Sequence, residues 1–149
     1  MVRRVPARVA AGAFLLNSGI GKLGADDDTA KRVHGVGSGA YPVLAKVPAP
    51  VFVKALGATE AGLGGALLTP FLRARTVGLA LTAFAGGLLG IYWRTPGLHR
   101  QDNPRPTPQG VALAKDSWLF ALGAGLLVDG LTERRPSRRR RRRATASAS

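Results

Sequence analysis

Val51–Thr69 reads VFVKALGATEAGLGGALLT. At about 1.5 Å per residue it can cross the roughly 30 Å of hydrocarbon in a bilayer. Glu60 stands near its middle. A carboxylate at that depth costs at least a few kcal/mol unless it is protonated, hydrated or paired. Three other apolar stretches surround this one in sequence, and they read as the walls that enclose Glu60. The fold expected from this is all-α, an integral membrane four-helix bundle with a disordered basic C-terminal tail.

The first of those walls is helix 5–23, preceded by Arg3 and Arg4 and closed by Lys22. Basic, apolar and small residues in that order also describe a signal peptide. Asn17-Ser18 interrupts the apolar run where a signal sequence is cleanest, which favours a retained helix. Gly24–Pro50 is polar and punctuated by Gly35, Gly37, Gly39, Pro42, Pro48 and Pro50, too often for a long helix. A short amphipathic piece is expected around Val43–Val47. The second helix is 51–69, opening after Pro50. The third, 76–93, holds no charged residue and follows after so few residues that an antiparallel hairpin is expected. RTPGLHRQDNPRPTPQG is a loop. The fourth helix, 111–131, has a short uncharged interval from Ser117 to Val128, and an even number of crossings makes it a span. Residues 1–131 thus form one transmembrane domain whose spans pair as two hairpins, and residues 132–149 form the tail.

Composition narrows the function classes. The 149 residues hold no Cys, which excludes disulfides, thiol catalysis and thiolate metal sites. His34 and His99 both fall in loops, so no metal site is expected in the bundle. No Ser/His/Asp arrangement or phosphate-cradling loop is visible. The net charge of +14 is largely local, because eight arginines lie between Arg134 and Arg143. Such a segment cannot bury a core and suits anionic lipid headgroups. Without aromatic interleaving or a folded platform it does not read as a nucleic-acid site.

Arg3, Arg4, Arg8, Arg73, Arg75 and the tail arginines fall on one side of a four-helix arrangement, with Lys31, Arg32, Lys46, Arg94, Arg100 and Arg105 diluted over longer loops on the other. The positive-inside bias makes the first side cytoplasmic and places both termini there. Tyr92, Trp93 and Trp118 then share the outer interface.

Polar residues crowd the outer half of the bundle. Asn17 lies roughly 9 Å and Glu60 roughly 13 Å below the outer surface. Lys22 or Lys115 can reach Glu60 along its own aliphatic stem. Asn17, Lys22, Glu60 and Lys115 are therefore the ligand-binding or proton-handling candidates, with no catalytic set among them. The same cluster also fits a structural ion pair that only fixes helix register. Small residues four apart, Gly57-Ala61-Gly65 and Glu60-Gly64 on the second helix, Ala83-Gly87 and Thr82-Gly86-Gly90 on the third, mark expected packing faces.

With NSGIGKL closing the first helix, LGATEAGLGGALL in the second, RARTVGLAL opening the third and AKDSWLFALG opening the fourth, residues Val5–Leu131 resemble the DoxX-like family of small bacterial membrane proteins. The family's recurrent positions match Gly19, Lys22, Glu60, Gly64, Gly65 and Lys115. The resemblance implies a four-helix bundle in the bacterial cytoplasmic (inner) membrane. It also implies a subunit or partner of a redox complex, with quinone as a possible cofactor, rather than a stand-alone enzyme. The arginine tail is not part of the family pattern.

Overall fold

A computed structural model of the chain describes residues 4–100 and 102–132. Of the expected tail, 132–149, Thr132 closes the last helix and residues 133–149 lie outside the described ones.

The chain is mostly helical. α1 (Val5–Leu23) carries Pro6 in its first turn, where a missing N–H costs nothing, and Lys22 in its last, where a cation meets the negative helix end. α2 (Asp27–Ala40) forms within the stretch expected to be irregular. Asp26 caps it by accepting from the Thr29 amide at 2.8 Å, and Asp27 and Asp28 complement the positive end of the helix. Its three glycines each cost about 1 kcal/mol in a helix, but Gly37 allows the Phe52 ring to sit 3.0 Å from where a Cβ would stand. Capping and tertiary contact outweigh propensity here. The piece expected at Val43–Val47 is a 3-10 turn, Pro42–Lys46, with no buried residue.

α3 (Ala49–Leu68) and α4 (Ala74–Arg94) follow, joined by an exposed turn. The loop after α4 contains a two-stranded antiparallel hairpin, β1 (His99–Arg100) and β2 (Asn103–Pro106), steadied by the Tyr92 hydroxyl donating to the Pro104 carbonyl at 2.8 Å. Tyr92 is therefore buried against protein, whereas Trp93 stays exposed. Trp118 is half-buried and meets Phe14 edge-on at 5.4 Å between ring centroids. The expected fourth helix is divided into α5 (Val111–Ala114) and α6 (Ser117–Thr132), broken at Lys115-Asp116.

Three helical intervals are long and apolar enough to cross a membrane: Ala49–Leu68, Ala74–Arg94 and Val111–Thr132. α1 is of similar length but diluted by Arg8, Asn17, Ser18 and Lys22.

Two helix pairs dominate the packing, α1 with α3 and α4 with α6. Although α3 and α4 are joined by a short turn, they touch far less than either touches its own partner, so the hairpin expected there is not a packed pair. Both dominant pairs are antiparallel. The Arg8 side chain, near the start of α1, donates to carbonyls at the end of α3. Gly130, near the end of α6, lies against the Arg75 backbone at the start of α4.

Glycines set how closely these pairs approach. A Cβ on Gly64 would stand 2.5 Å from the Leu16 nitrogen, and one on Gly57 would stand 2.8 Å from the Gly19 oxygen. A Cβ on Gly78 would meet the Leu127 nitrogen at 2.5 Å. The contact glycines recur seven residues apart, two helical turns, in Gly12/Gly19, Gly57/Gly64 and Gly123/Gly130. Gly65 and Gly87, members of the expected faces, look onto open space. The buried core lies between the two pairs and is centred on Leu15, Leu67, Leu81 and Leu119.

Candidate functional site

α3 turns Glu60 toward α1, where it is 4% exposed and the only buried charged side chain among the described residues. Lys22 Nζ donates to Glu60 Oε2 at 2.8 Å and to Ser18 Oγ at 2.8 Å. Ser18 and Lys22 are four apart on α1, so they share a face, and Ser18 accepts from the same ammonium that pairs with Glu60. The close approach of α1 to α3 that Gly57 permits, with a Cβ there only 2.9 Å from Lys22 Cβ, is what brings the ammonium within reach.

The pair does not end in packed protein. It opens onto a cavity of about 360 Å³, within the size range of small-molecule sites. Phe14 and Leu15 of α1, Phe52 and Leu56 of α3 and Leu88 and Ile91 of α4 give it apolar walls. α2 covers it with Val33 and Val36, and the exposed Arg32 stands at its rim. Tyr41, just after α2, fastens this cover to α4 by donating to the Gly87 carbonyl at 3.1 Å, while Arg94 stacks over the Tyr41 ring at 4.9 Å.

A second carboxylate enters from the break between α5 and α6. Asp116 lines the cavity with Glu60 and Lys22 and feels the charge of both. Among the described residues its side chain has neither a hydrogen bond nor an ion pair. The wall therefore holds two carboxylates and one ammonium. Glu60 Oε1 and both Asp116 oxygens are open to a hydrogen-bond donor in the cavity.

Of the four sequence candidates, the structure brings two together. Lys22 and Glu60 form the pair. Asn17 and Lys115 are exposed and line no part of the cavity. Of the two lysines considered as partners for Glu60, Lys22 takes that place. Asp116 and the α2 cover were not among the candidates. The cover does have a sequence signal, because Ala30, Val33, Gly37 and Ala40 follow helical spacing behind a capping Asp26.

Outside the cavity, His34 pairs with the Leu44 carbonyl at 2.9 Å and lies edge-on to Phe52, and His99 sits against Tyr92 and Trp93. No group of three His, Cys, Asp or Glu side chains lies close enough to hold a metal among the described residues. A shallower groove of about 600 Å³ runs along α6, its wall including Ala7, Ala121, Ala124 and Gly125 with Arg4 and Asp129.

No family model, curated protein or solved structure matches this chain.

Proposed function

We propose that this chain is an integral membrane protein of four crossing helices, α1, α3, α4 and α5–α6, whose cavity beside Glu60 holds a small apolar ligand by its polar end. In this reading it serves as a membrane subunit or partner of a redox complex, in the manner of the DoxX-like proteins, with a quinone as the candidate ligand. The membrane is the bacterial inner membrane, and both termini face the cytoplasm.

One observation carries the proposal: a hydrogen-bonded Glu60–Lys22 pair opens onto an apolar cavity of about 360 Å³ instead of being sealed by side chains. The membrane placement draws on three apolar helical intervals and on the packing of α1 along α3, which gives the less apolar helix a place inside the bundle. It also draws on the exposed hydrophobic side chains, Phe71, Val128, Leu79 and Val9 among them, that a water-soluble protein of this size would not present together. Glu60 and Lys22 anchor the ligand's polar end, and Asp116 is placed to accept a proton or hydrogen bond from it.

A second reading has its own support. Lys22 is already bonded to both Glu60 and Ser18, so the cluster can fix the α1–α3 register with no ligand at all. The chain would then be a structural or assembly protein. Mass spectrometry of small molecules retained after gentle purification separates the two. The ligand reading expects an apolar molecule that copurifies with the wild type and is lost from Glu60→Gln, while membrane insertion is unchanged. If Glu60→Gln lowers thermal stability and neither protein carries a molecule, the structural reading stands instead.

A further inference from the structure

We propose that the end of the molecule opposite the Glu60 cavity binds one anionic phospholipid, its phosphate held by Arg73 and an acyl chain lying in the adjoining groove. The inference rests on the membrane placement proposed above but not on the ligand cavity, and it concerns the folded body rather than the arginine tail.

A groove of about 300 Å³ opens where α1 begins, α3 ends and α4 begins, and its wall includes Arg4, Arg8, Arg73, Val9, Leu68 and Phe71. The charge there is unbalanced. Arg4 is paired with Asp129. Arg8 is committed to hydrogen bonds with the carbonyls of Ala66, Leu67, Thr69 and Leu72, at 2.6 to 3.1 Å. Those bonds satisfy the guanidinium and cap the end of α3, but a carbonyl carries no formal charge to neutralise it. Arg73 is exposed, and its side chain has no hydrogen bond or ion pair among the described residues. The groove thus holds two guanidinium charges that no carboxylate among the described residues answers.

Its remaining surface is hydrocarbon, and much of it is bare. Phe71 is 91% exposed at the tip of the α3–α4 turn, and Val9 is 50% exposed on the flank of α1. Free phosphate would answer the charge and leave those side chains in water. A neutral lipid would cover them and leave the charge. An anionic phospholipid does both, because its phosphate suits the planar fork of Arg73 and its chain can run along Val9 and Leu68. Phe71 would enter the interface beside the headgroup, as aromatic side chains do at that depth.

The test reconstitutes the full chain into nanodiscs of equal phosphatidylglycerol and phosphatidylcholine and counts, by native mass spectrometry, the lipids that stay bound on release. One phosphatidylglycerol should be retained in preference. Arg73→Gln should lower that preference about fivefold. Arg100→Gln, a guanidinium at the other end of the bundle, should leave it unchanged. All three proteins carry the same tail, so its lipid binding cancels in the comparison. Retention of both lipids equally, or an unaltered preference in Arg73→Gln, overturns the site while leaving the membrane placement intact. Displacement of the lipid by millimolar inorganic phosphate would mark an adventitious ion only. A chain that stays in solution and never enters the disc overturns the membrane placement along with the site.

Discussion

Glu60 has one side-chain partner among the described residues, and that partner is itself only partly sheltered: the Lys22 side chain is 25% exposed against 5% for Glu60. Removing the lysine leaves a buried carboxyl with nothing to accept from. Lys22→Met should therefore lower stability in detergent by about 3 kcal/mol, toward the lower end for a broken buried pair because the cavity admits water or a proton. Lys22→Met with Glu60→Met should recover much of that loss, since two apolar groups replace the pair. A single variant as stable as the wild type would show that the pair holds nothing together. Asp116→Asn breaks no ion pair, so its stability in detergent should stay within about 0.5 kcal/mol of wild type. What should change is retention of the copurifying molecule. Glu60 and Lys22 were legible because an ionisable group in an apolar run has few places to go. Lys115 was the candidate and Asp116 was not, yet the helix phase breaks at that dipeptide and turns the aspartate inward and the lysine out. Asn17 fails for a related reason: one residue along α1, Ser18 sits about 100° round the helix and takes the inward face with Lys22.

At the scale of the helix, the close approach of α1 and α3 depends on backbone meeting backbone. A methyl on Gly64 would press on the Leu16 nitrogen and the Gly12 oxygen, 2.5 and 2.7 Å away, and neither can step aside without moving its helix. Gly64→Ala should cost about 1–3 kcal/mol and loosen the Lys22–Glu60 contact one turn away. Gly65→Ala meets nothing within 4 Å, so the gain in helix propensity, up to about 1 kcal/mol, should appear instead. Thermal melts of the two variants side by side check this, and equal destabilisation would contradict the assigned contact face. Sequence spacing of four pointed to Gly65 because the chain is rich in glycine on every face. The seven-residue recurrence is the one the antiparallel pairs use, and it becomes visible only when both helices are known to touch.

α2 shows the opposite failure, an element hidden by its glycines. Its hold on the cavity mouth starts at Asp26, whose carboxyl is held below the ordinary aspartate value of 3.8, first by the side-chain and backbone hydrogen bonds from Thr29. A depressed folded value means the cap contributes fully above the unfolded pKa and fades as pH falls through the folded one. Hydrogen exchange of the first-turn amides of α2 should therefore be insensitive to pH-driven cap loss near neutrality, after correction for intrinsic rates, and lose protection only well into the acid range. Asp26→Ala should lose that protection at every pH. If the variant protects those amides as the wild type does, the cap does not fasten the cover.

For the whole molecule, the two antiparallel pairs place the start of α1, the α3–α4 turn and the end of α6 together at one end, with α2, the hairpin and the cavity at the other. The mostly helical character, the long apolar helices α3 and α4 and the short piece near Val43 were readable because long uncharged runs leave few alternatives, whereas the β1–β2 hairpin was not expected. The pairing of α1 with α3 in preference to α3 with α4 was not certain from connectivity, since a short turn fixes direction without fixing contact. Charge then makes the arrangement testable. Arg4, Arg8, Arg73 and Arg75 gather at the first end, which the proposed topology, following the positive-inside bias, turns toward the cytoplasm. The chain has no cysteine, so a single introduced thiol reports one position without further engineering. Lys31→Cys, exposed on α2, should react with a membrane-impermeant maleimide in intact bacterial cells whose outer membrane has been made permeable. Arg75→Cys, exposed at the start of α4, should react only after the inner membrane is opened as well. Equal labelling of both from outside would mean that the helices do not separate the two ends across a bilayer. The reverse order would keep the spans and turn the cavity toward the cytoplasm, which would change the side from which any ligand reaches Glu60.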